Sequence, residues 1–159
     1  MIIKFLEVED FVNYKKPSMF IGTPYCSFKC DKEYGTTICQ NSELIRQYSF
    51  DISNDRIVDL YTQNEITKAV VFGGLEPLDS MNDVLDIIKK IRKKCNDDIV
   101  IYTGYTEEEC LNMPKFNELI SLGHIIIKFG RFIPNVEGRQ DDILGVKLAS
   151  YNQYAKEYI

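Results

Sequence analysis

The sequence predicts an α/β fold with a mainly parallel sheet that forms part of a β/α barrel. Short apolar runs alternate along the chain with segments of helical periodicity, which is the pattern of parallel β/α units. Several of these runs lead directly into glycines, as buried strands do before a turn. A closed eight-fold barrel takes about 250 residues. The 159 residues, which we predict form a single domain over residues 1–159, can therefore supply only part of one.

The first predicted elements lead to a loop that is rich in cysteine. Residues 2–6 predict a short edge strand, and residues 7–17 predict a loop because they are polar and have no apolar period. Residues 18–21 predict a buried strand, whereas residues 40–50 show only a weak pattern. Ligand-binding loops lie at the carboxyl ends of parallel strands. We therefore expect such a loop directly after residue 21.

The middle of the chain contains two predicted helices with a strand between them. The first helix covers residues 55–64, with Ser53 or Asn54 as its cap. The strand covers residues 68–72 and ends in a pair of glycines. Ser80 caps the second helix, whose apolar residues recur at helical spacing, at Val84, Ile87, Ile88 and Ile91. These elements predict one unit of the parallel sheet.

Two more strands and two short helices follow. Residues 98–102 predict a third parallel strand, and Thr106 begins a short helix after it. A further helix opens at Pro114 and stops at Gly123, in keeping with the positions that proline and glycine favour at helix ends. Residues 124–129 then predict a fourth parallel strand.

Beyond the fourth strand the pattern becomes weaker. Residues 130–142 are polar and predict a mobile loop, and residues 146–148 predict a final strand. A tail with Asn152 and Gln153 follows it. His124 is the only histidine, and we interpret it as structural because no acid–base partner is evident near it in the sequence.

Composition restricts the compartment and the partners. No run approaches the roughly 18 apolar residues of a membrane span, and the N-terminus does not resemble a signal peptide, so we expect a soluble cytoplasmic protein. The net charge of −5 argues against direct binding to nucleic acid or to an acidic membrane surface. The cysteine count of five is odd, which favours thiolate ligands over disulfides in a reducing compartment.

Three of the cysteines, Cys26, Cys30 and Cys39, lie close together in the loop after the first buried strand. Their thiolates are soft ligands that suit an iron–sulfur cluster or zinc. Zinc sites usually combine two ligand pairs, and this loop contains three sulfurs and no histidine. A cubane cluster has four irons, so three protein thiolates leave one iron open to a ligand that is not protein.

Three further segments resemble one known family together with this loop. They are GGLEPL at residues 73–78, IYTGYT at residues 101–106 and ASYNQ at residues 149–153. The loop resembles that of radical S-adenosylmethionine enzymes, and the chain resembles the activating proteins of anaerobic ribonucleoside-triphosphate reductase. The family pattern is C-x3-C-x2-C with an aromatic residue just before the last cysteine, whereas this chain has C-x3-C-x8-C with Ile38 at the aromatic position. We interpret residues 31–37 as an insertion that bulges outward and returns Cys39 to the cluster.

The resemblance implies a partial β/α barrel and an enzyme that uses a [4Fe-4S] cluster held by the three cysteines. The open iron would bind the amino and carboxylate groups of S-adenosylmethionine, and an electron passed to the sulfonium would release methionine and a 5′-deoxyadenosyl radical. The implied partner is a glycyl-radical enzyme, most directly anaerobic ribonucleotide reductase, which loses a glycyl hydrogen. An electron donor such as flavodoxin or ferredoxin is also implied. The open side of an incomplete barrel suits a loop of the partner.

The resemblance further implies a set of cofactor-binding residues near the predicted strand ends and in the C-terminal segment. They are Gly73, Gly74, Glu76, Thr103, Gly104 and Asn152. The two glycines and Glu76 would hold the methionyl amino group. Thr103 and Gly104 would lie near the ribose or the carboxylate, and Asn152 near the adenine.

The residues leave other functions open. Cys95 or Cys110 could complete a four-cysteine cluster for electron transfer or redox sensing, although we interpret both as packed thiols. A structural zinc module is a further alternative. Within the radical enzymes, the target could be another glycyl-radical enzyme, such as pyruvate formate-lyase, or a small molecule.

Overall fold

The computed structural model describes all residues 1–159. Its strands are β1 (Ile2–Ile3), β2 (Phe5–Asp10), β3 (Ser18–Thr23), β4 (Phe50–Asp51), β5 (Ala69–Gly74), β6 (Asp98–Tyr102), β7 (Ile125–Phe129), β8 (Arg139–Asp141), β9 (Val146–Leu148) and β10 (Tyr154–Tyr158). Its α-helices are α1 (Lys29–Tyr34), α2 (Ser42–Arg46), α3 (Asn54–Gln63), α4 (Met81–Arg92), α5 (Glu107–Leu111) and α6 (Phe116–Ile120). None of them combines the length and the hydrophobicity that a membrane-spanning helix requires.

The centre of the molecule is a six-stranded sheet with the strand order β10-β7-β6-β5-β3-β2. The four inner strands are parallel to one another. The two edge strands, β2 and β10, run antiparallel to their neighbours. The mixed α/β class and the mainly parallel sheet are therefore confirmed.

Both faces of the sheet are covered, so its inner strands are apolar on both sides. On one face, Val70 and Phe72 of β5 pack in the larger core with α3 and α4. On the other face, Val71 belongs to a smaller core with Leu144 and Leu148 of the β8–β9 hairpin. Successive side chains of a strand point to opposite faces. The hairpin therefore covers the face opposite these helices.

The predicted parallel strands are confirmed, as are most of the predicted helices. The strands predicted at residues 18–21, 68–72, 98–102 and 124–129 correspond to β3, β5, β6 and β7. Ser53 caps α3, and its hydroxyl accepts a hydrogen bond from the backbone N–H of Arg56 at 3.2 Å. Thr106 begins α5 through a reciprocal capping box with Glu109.

Two segments predicted as loops contain strands. Residues 7–10 continue β2, which pairs only with β3. An edge strand can leave its side chains in solvent, so it need not show an apolar period. Residues 130–142 contain β8, which is held by backbone pairing with β9, and two of its three side chains are exposed. Within the weakly patterned residues 40–50, α2 forms a short helix.

The C-terminal segment is a strand of the sheet and not a tail. Gln153 is buried, and its Nε2 donates a hydrogen bond to the carbonyl oxygen of Gly130 at 3.1 Å. β10 follows directly and is antiparallel to β7, so it extends the sheet beyond the strand predicted to be the last. This edge strand contains exposed polar residues, so its sequence lacks the apolar run that predicts a buried strand.

The start of α4 also differs from its prediction. Ser80 precedes the helix, but its hydroxyl makes no capping hydrogen bond and is buried without a partner. A 3₁₀ turn at Pro77–Ser80 leads the chain into α4 instead. The amphipathic pattern located this helix correctly, and only the capping role is wrong.

Candidate functional site

One cavity of about 610 Å³ lies among the loops that follow β3, β5 and β6 and beside the end of β7. We call it the cysteine cavity, because Cys26, Cys30 and Cys39 all line it. The predicted cofactor-binding residues that also line it are Gly73, Gly74, Glu76, Thr103 and Gly104. The fold therefore brings together all of the predicted site residues except Asn152.

The three cysteines are half-buried and reach the cavity from different local structures. Cys26 lies in the loop after β3, and its Sγ accepts a hydrogen bond from the backbone N–H of Phe28 at 3.2 Å. Cys30 lies in α1, and Cys39 follows that helix. The Asp31 carboxylate accepts hydrogen bonds from the backbone N–H groups of Ile38 at 2.8 Å and Cys39 at 3.0 Å. The first part of the predicted insertion thus belongs to α1, and Asp31 binds the backbone of Ile38 and Cys39 just after the insertion.

The burial of the thiols favours a bound metal centre beside them. Burial raises the pKa of Cys26 to about 12 and also raises the pKa of Cys39, so each thiolate needs a positive partner such as iron. No three Cys, His, Asp or Glu side chains are grouped to hold one metal ion. A cubane cluster binds each thiolate through a different iron, and so its ligands stand farther apart than those of one ion. The three half-buried thiols line one cavity, as the ligands of such a cluster would.

Glu76 is a buried carboxylate at the wall of the cysteine cavity. Its oxygens accept hydrogen bonds from the Thr103 hydroxyl at 2.8 Å and from the backbone N–H of Gly104 at 2.8 Å. A further bond comes from the backbone N–H of Leu78 at 3.1 Å. Burial nevertheless raises the pKa of Glu76 to about 7. Thr103 and Gly104 therefore orient Glu76 and join the ends of β5 and β6.

The glycine pair that ends β5 is required by close packing against β3. Gly74 has φ of 85°, and a Cβ there would lie 3.1 Å from the Cα of Gly22 and 3.2 Å from the backbone nitrogen of Thr23. A Cβ at Gly73 would lie 2.7 Å from the ring of Phe20. The carbonyl oxygen of Gly74 accepts a hydrogen bond from the Asn41 side chain at 2.8 Å. These contacts bring the two strand ends close together at the cavity.

Lys128 is a site residue that the sequence analysis missed. It is only 7% exposed, it lines the cysteine cavity, and its Nζ donates a hydrogen bond to the carbonyl oxygen of Gly130 at 3.0 Å. Burial lowers the pKa of this lysine to about 8. The signal was present, because Lys128 is the single charged residue within the otherwise apolar β7. A buried lysine without an ion pair places a positive charge beside the cavity.

Asn152 lines a second cavity of about 580 Å³, which we call the flanking cavity. The two cavities share Cys30, Gly130 and Phe132 in their walls. The side-chain nitrogen of Asn152 donates a hydrogen bond to the carbonyl oxygen of Arg131 at 2.9 Å, but its Oδ1 is buried without a partner. This predicted residue is therefore separate from the others but adjacent to them.

The other cysteines and the histidine lie outside both cavities. Cys110 is buried in the larger apolar core, and Cys95 packs against that core. The carbonyl oxygen of His124 accepts hydrogen bonds from the backbone N–H of Ile99 and from the Arg92 guanidinium. The interpretation of Cys95 and Cys110 as packed thiols agrees with these positions.

No curated protein and no solved structure shows significant similarity to this chain. Residues 18–154, however, match a protein family described as a 4Fe-4S single cluster domain. The match begins at the first residue of β3, ends at the first residue of β10 and includes all of the cavity-lining cysteines. This chain therefore belongs to the 4Fe-4S single cluster domain family of iron–sulfur proteins.

Proposed function

We propose that this protein is a radical S-adenosylmethionine enzyme that activates a glycyl-radical enzyme. The observation that carries the proposal is the lining of the cysteine cavity, where three thiols lie together with Glu76 and Lys128. Three thiolates leave one iron of a [4Fe-4S] cluster without a protein ligand. Glu76 and Lys128 line the same cavity, and their opposite charges suit the amino group and the carboxylate of an amino acid.

In this proposal, Glu76 accepts hydrogen bonds from the methionyl amino group, while the ammonium of Lys128 faces the methionyl carboxylate. Gly73 and Gly74 allow the backbone to approach the cofactor closely. Cys26, Cys30 and Cys39 would hold the cluster, which when reduced would supply an electron for cleavage of the sulfonium. The residues of the chain bind and orient the substrate and exclude water.

The flanking cavity would receive the adenosine part of the same molecule. Asn152 Oδ1 has no partner within the chain and could accept a hydrogen bond from the exocyclic amine of adenine. Phe132 lines both cavities, so a ligand could pass from one to the other along this ring. The Thr103 hydroxyl donates a hydrogen bond to Glu76 and would act on the cofactor through that acid.

The proposed partner is a protein, and anaerobic ribonucleotide reductase is the first candidate. We infer that the open sheet is a partial β/α barrel, in which a partner's loop completes the site. Reduction of the cluster would come from a donor such as flavodoxin or ferredoxin.

The test is anaerobic reconstitution with iron and sulfide, followed by addition of S-adenosylmethionine, a reductant and the reductase of the same organism. The expected results are reductive cleavage of the cofactor and a glycyl-radical signal in electron paramagnetic resonance. Cleavage without the radical signal would refute the reductase as the partner. A fully loaded cluster that never cleaves S-adenosylmethionine would refute the radical chemistry.

A further inference from the structure

We propose that Arg131 is a positioning residue that clamps α1, and with it two of the cluster cysteines, onto the segment after β7 and onto α5. The clamp explains how a chain with eight residues between Cys30 and Cys39 keeps both of them at one cavity. The proposal assumes that these cysteines are cluster ligands. It does not depend on the radical chemistry.

α1 needs an external support to stay in place. It has six residues, none of them buried, and no side chain caps its N-terminus. Helices this short are unstable in water without tertiary contacts. Yet α1 carries Cys30, and its Asp31 carboxylate binds the backbone N–H of Cys39. Movement of α1 would therefore displace two of the three thiols.

The support is a chain of four charged side chains. Arg131 makes a paired contact with the Glu109 carboxylate, with both N···O distances at 2.7 Å. Its Nε lies 2.8 Å from Glu33 of α1, within ion-pair distance although without the alignment of a hydrogen bond. Lys29, also in α1, lies 3.0 Å from Glu109. Two residues of α1 are thus held by one Arg131–Glu109 pair.

This pair is itself fixed in position. Arg131 is only 9% exposed, and its paired contact with a carboxylate has a defined geometry. Glu109 is held by the capping box of α5, in which its carboxylate accepts a hydrogen bond from the backbone N–H of Thr106 at 2.9 Å. The clamp therefore connects α1 to α5 and to the segment after β7.

The loop that carries Cys26 is held by other hydrogen bonds, so the clamp acts on Cys30 and Cys39. The backbone N–H of Ser27 donates a hydrogen bond to Asp79 at 2.7 Å, and the Tyr105 hydroxyl donates to the same carboxylate at 2.6 Å. None of these groups contacts Arg131 through a hydrogen bond. Loss of the clamp should loosen Cys30 and Cys39 while Cys26 keeps its position.

The test compares Arg131→Met, Arg131→Lys and Glu33→Gln with wild type. The matched control is Glu118→Gln, which breaks an exposed ion pair with Lys89 on another part of the surface. Two quantities are measured: hydrogen exchange of residues 29–39 in the metal-free protein, and the rate at which the reconstituted protein loses iron to a chelator. Glu33 is largely exposed, so its variant is expected to fold even if Arg131→Met does not.

For Arg131→Met we expect exchange in α1 about tenfold faster, with β5 and β6 unchanged, and iron loss accelerated several-fold. Arg131→Lys should show a smaller acceleration than Arg131→Met, because lysine keeps the positive charge. It should not match wild type, because an ammonium cannot reproduce the paired contact. Glu33→Gln should act in the same direction but less strongly. Unchanged exchange in α1 with both Arg131→Met and Glu33→Gln would overturn the proposal. The proposal would also be overturned if Arg131→Met accelerated hydrogen exchange equally in α1 and in the sheet, or if Glu118→Gln gave the same acceleration in α1.

Discussion

Glu76 is a buried carboxylate whose hydrogen bonds join two neighbouring strand ends. It is buried at the wall of the cysteine cavity and receives hydrogen bonds from the segment after β6. Those donors favour the charged carboxylate, whereas burial disfavours it, and burial has the larger effect on its pKa. The metal-free protein therefore holds a proton on Glu76 over part of the physiological pH range.

This shift predicts a pH-dependent stability. The pKa rises from its usual 4.5 to about 7 on folding, so between these values the folded state binds the proton more tightly than the unfolded state. The contribution is fully present below pH 4.5 and is lost as the pH rises to 7, with a limit on the order of 3 kcal/mol. Urea unfolding of the metal-free protein at pH 5 and pH 7.5 measures it.

The control for this prediction is Glu76→Gln, which cannot titrate. The variant loses some hydrogen bonding at all pH values, but its stability should change less between pH 5 and pH 7.5 than that of wild type. Parallel pH profiles of the two proteins would show that Glu76 is ionised in both states, contrary to our expectation.

A second residue-scale prediction concerns Gly74. Replacement by alanine imposes a left-handed conformation on a residue with a Cβ, which costs about 1–2 kcal/mol, and the new Cβ also meets backbone atoms of β3 at 3.1–3.2 Å. Gly123 is a matched control, because its φ of 69° is similar but a Cβ there meets nothing within 4 Å. Gly74→Ala should lower the free energy of unfolding more than Gly123→Ala does, as measured by urea denaturation. Equal losses would show that β3 yields to the added methyl group.

At the scale of elements, the segment from the end of β3 to Cys39 carries all three cavity-lining cysteines. Replacing Cys26, Cys30 or Cys39 by alanine should prevent formation of the cluster, because each removes a thiolate from the same cavity. Iron content and visible absorption after anaerobic reconstitution measure this outcome.

Cys95→Ala and Cys110→Ala are the controls, since neither residue lines the cysteine cavity. Both should retain the cluster, although Cys110→Ala should lower stability because it leaves a void in the apolar core. Loss of the cluster in either variant would instead favour the four-cysteine electron-transfer protein.

At the scale of the whole molecule, β10 completes the sheet. It pairs with β7 along its whole length, and the Asp141 carboxylate accepts a hydrogen bond from the backbone N–H of Ala155 at 2.9 Å. Deleting residues 154–159 should therefore expose the edge of β7 and lower the midpoint of thermal unfolding by several degrees or more. Deletion of Ile159 alone, which is highly exposed, should have little effect. Similar midpoints for the two deletions would contradict this role.

Local patterns in the sequence determined the inner sheet and the ligand loop. β3, β5, β6 and β7 are buried on both sides, so each appears in the sequence as a mainly continuous apolar run that can be recognised without knowledge of its partners. The glycines at the end of β5 and the cysteines after β3 were equally visible, because strand ends bring loops to one edge of a parallel sheet. The edge strands could not be predicted in this way, since their pairing is made by backbone groups whose partners lie far along the chain.

The cysteine spacing by itself indicated thiolate ligands for an iron–sulfur cluster or for zinc, and the family match supports the cluster. Only the tertiary structure decided which other groups surround the thiols. Lys128 looked like an exception in an apolar strand, and Arg131 like part of a polar loop, until folding placed them beside Cys30 and α1. The physical reason is that burial and charge pairing depend on which residues meet in space, and 101 positions separate Cys30 from Arg131 in the sequence.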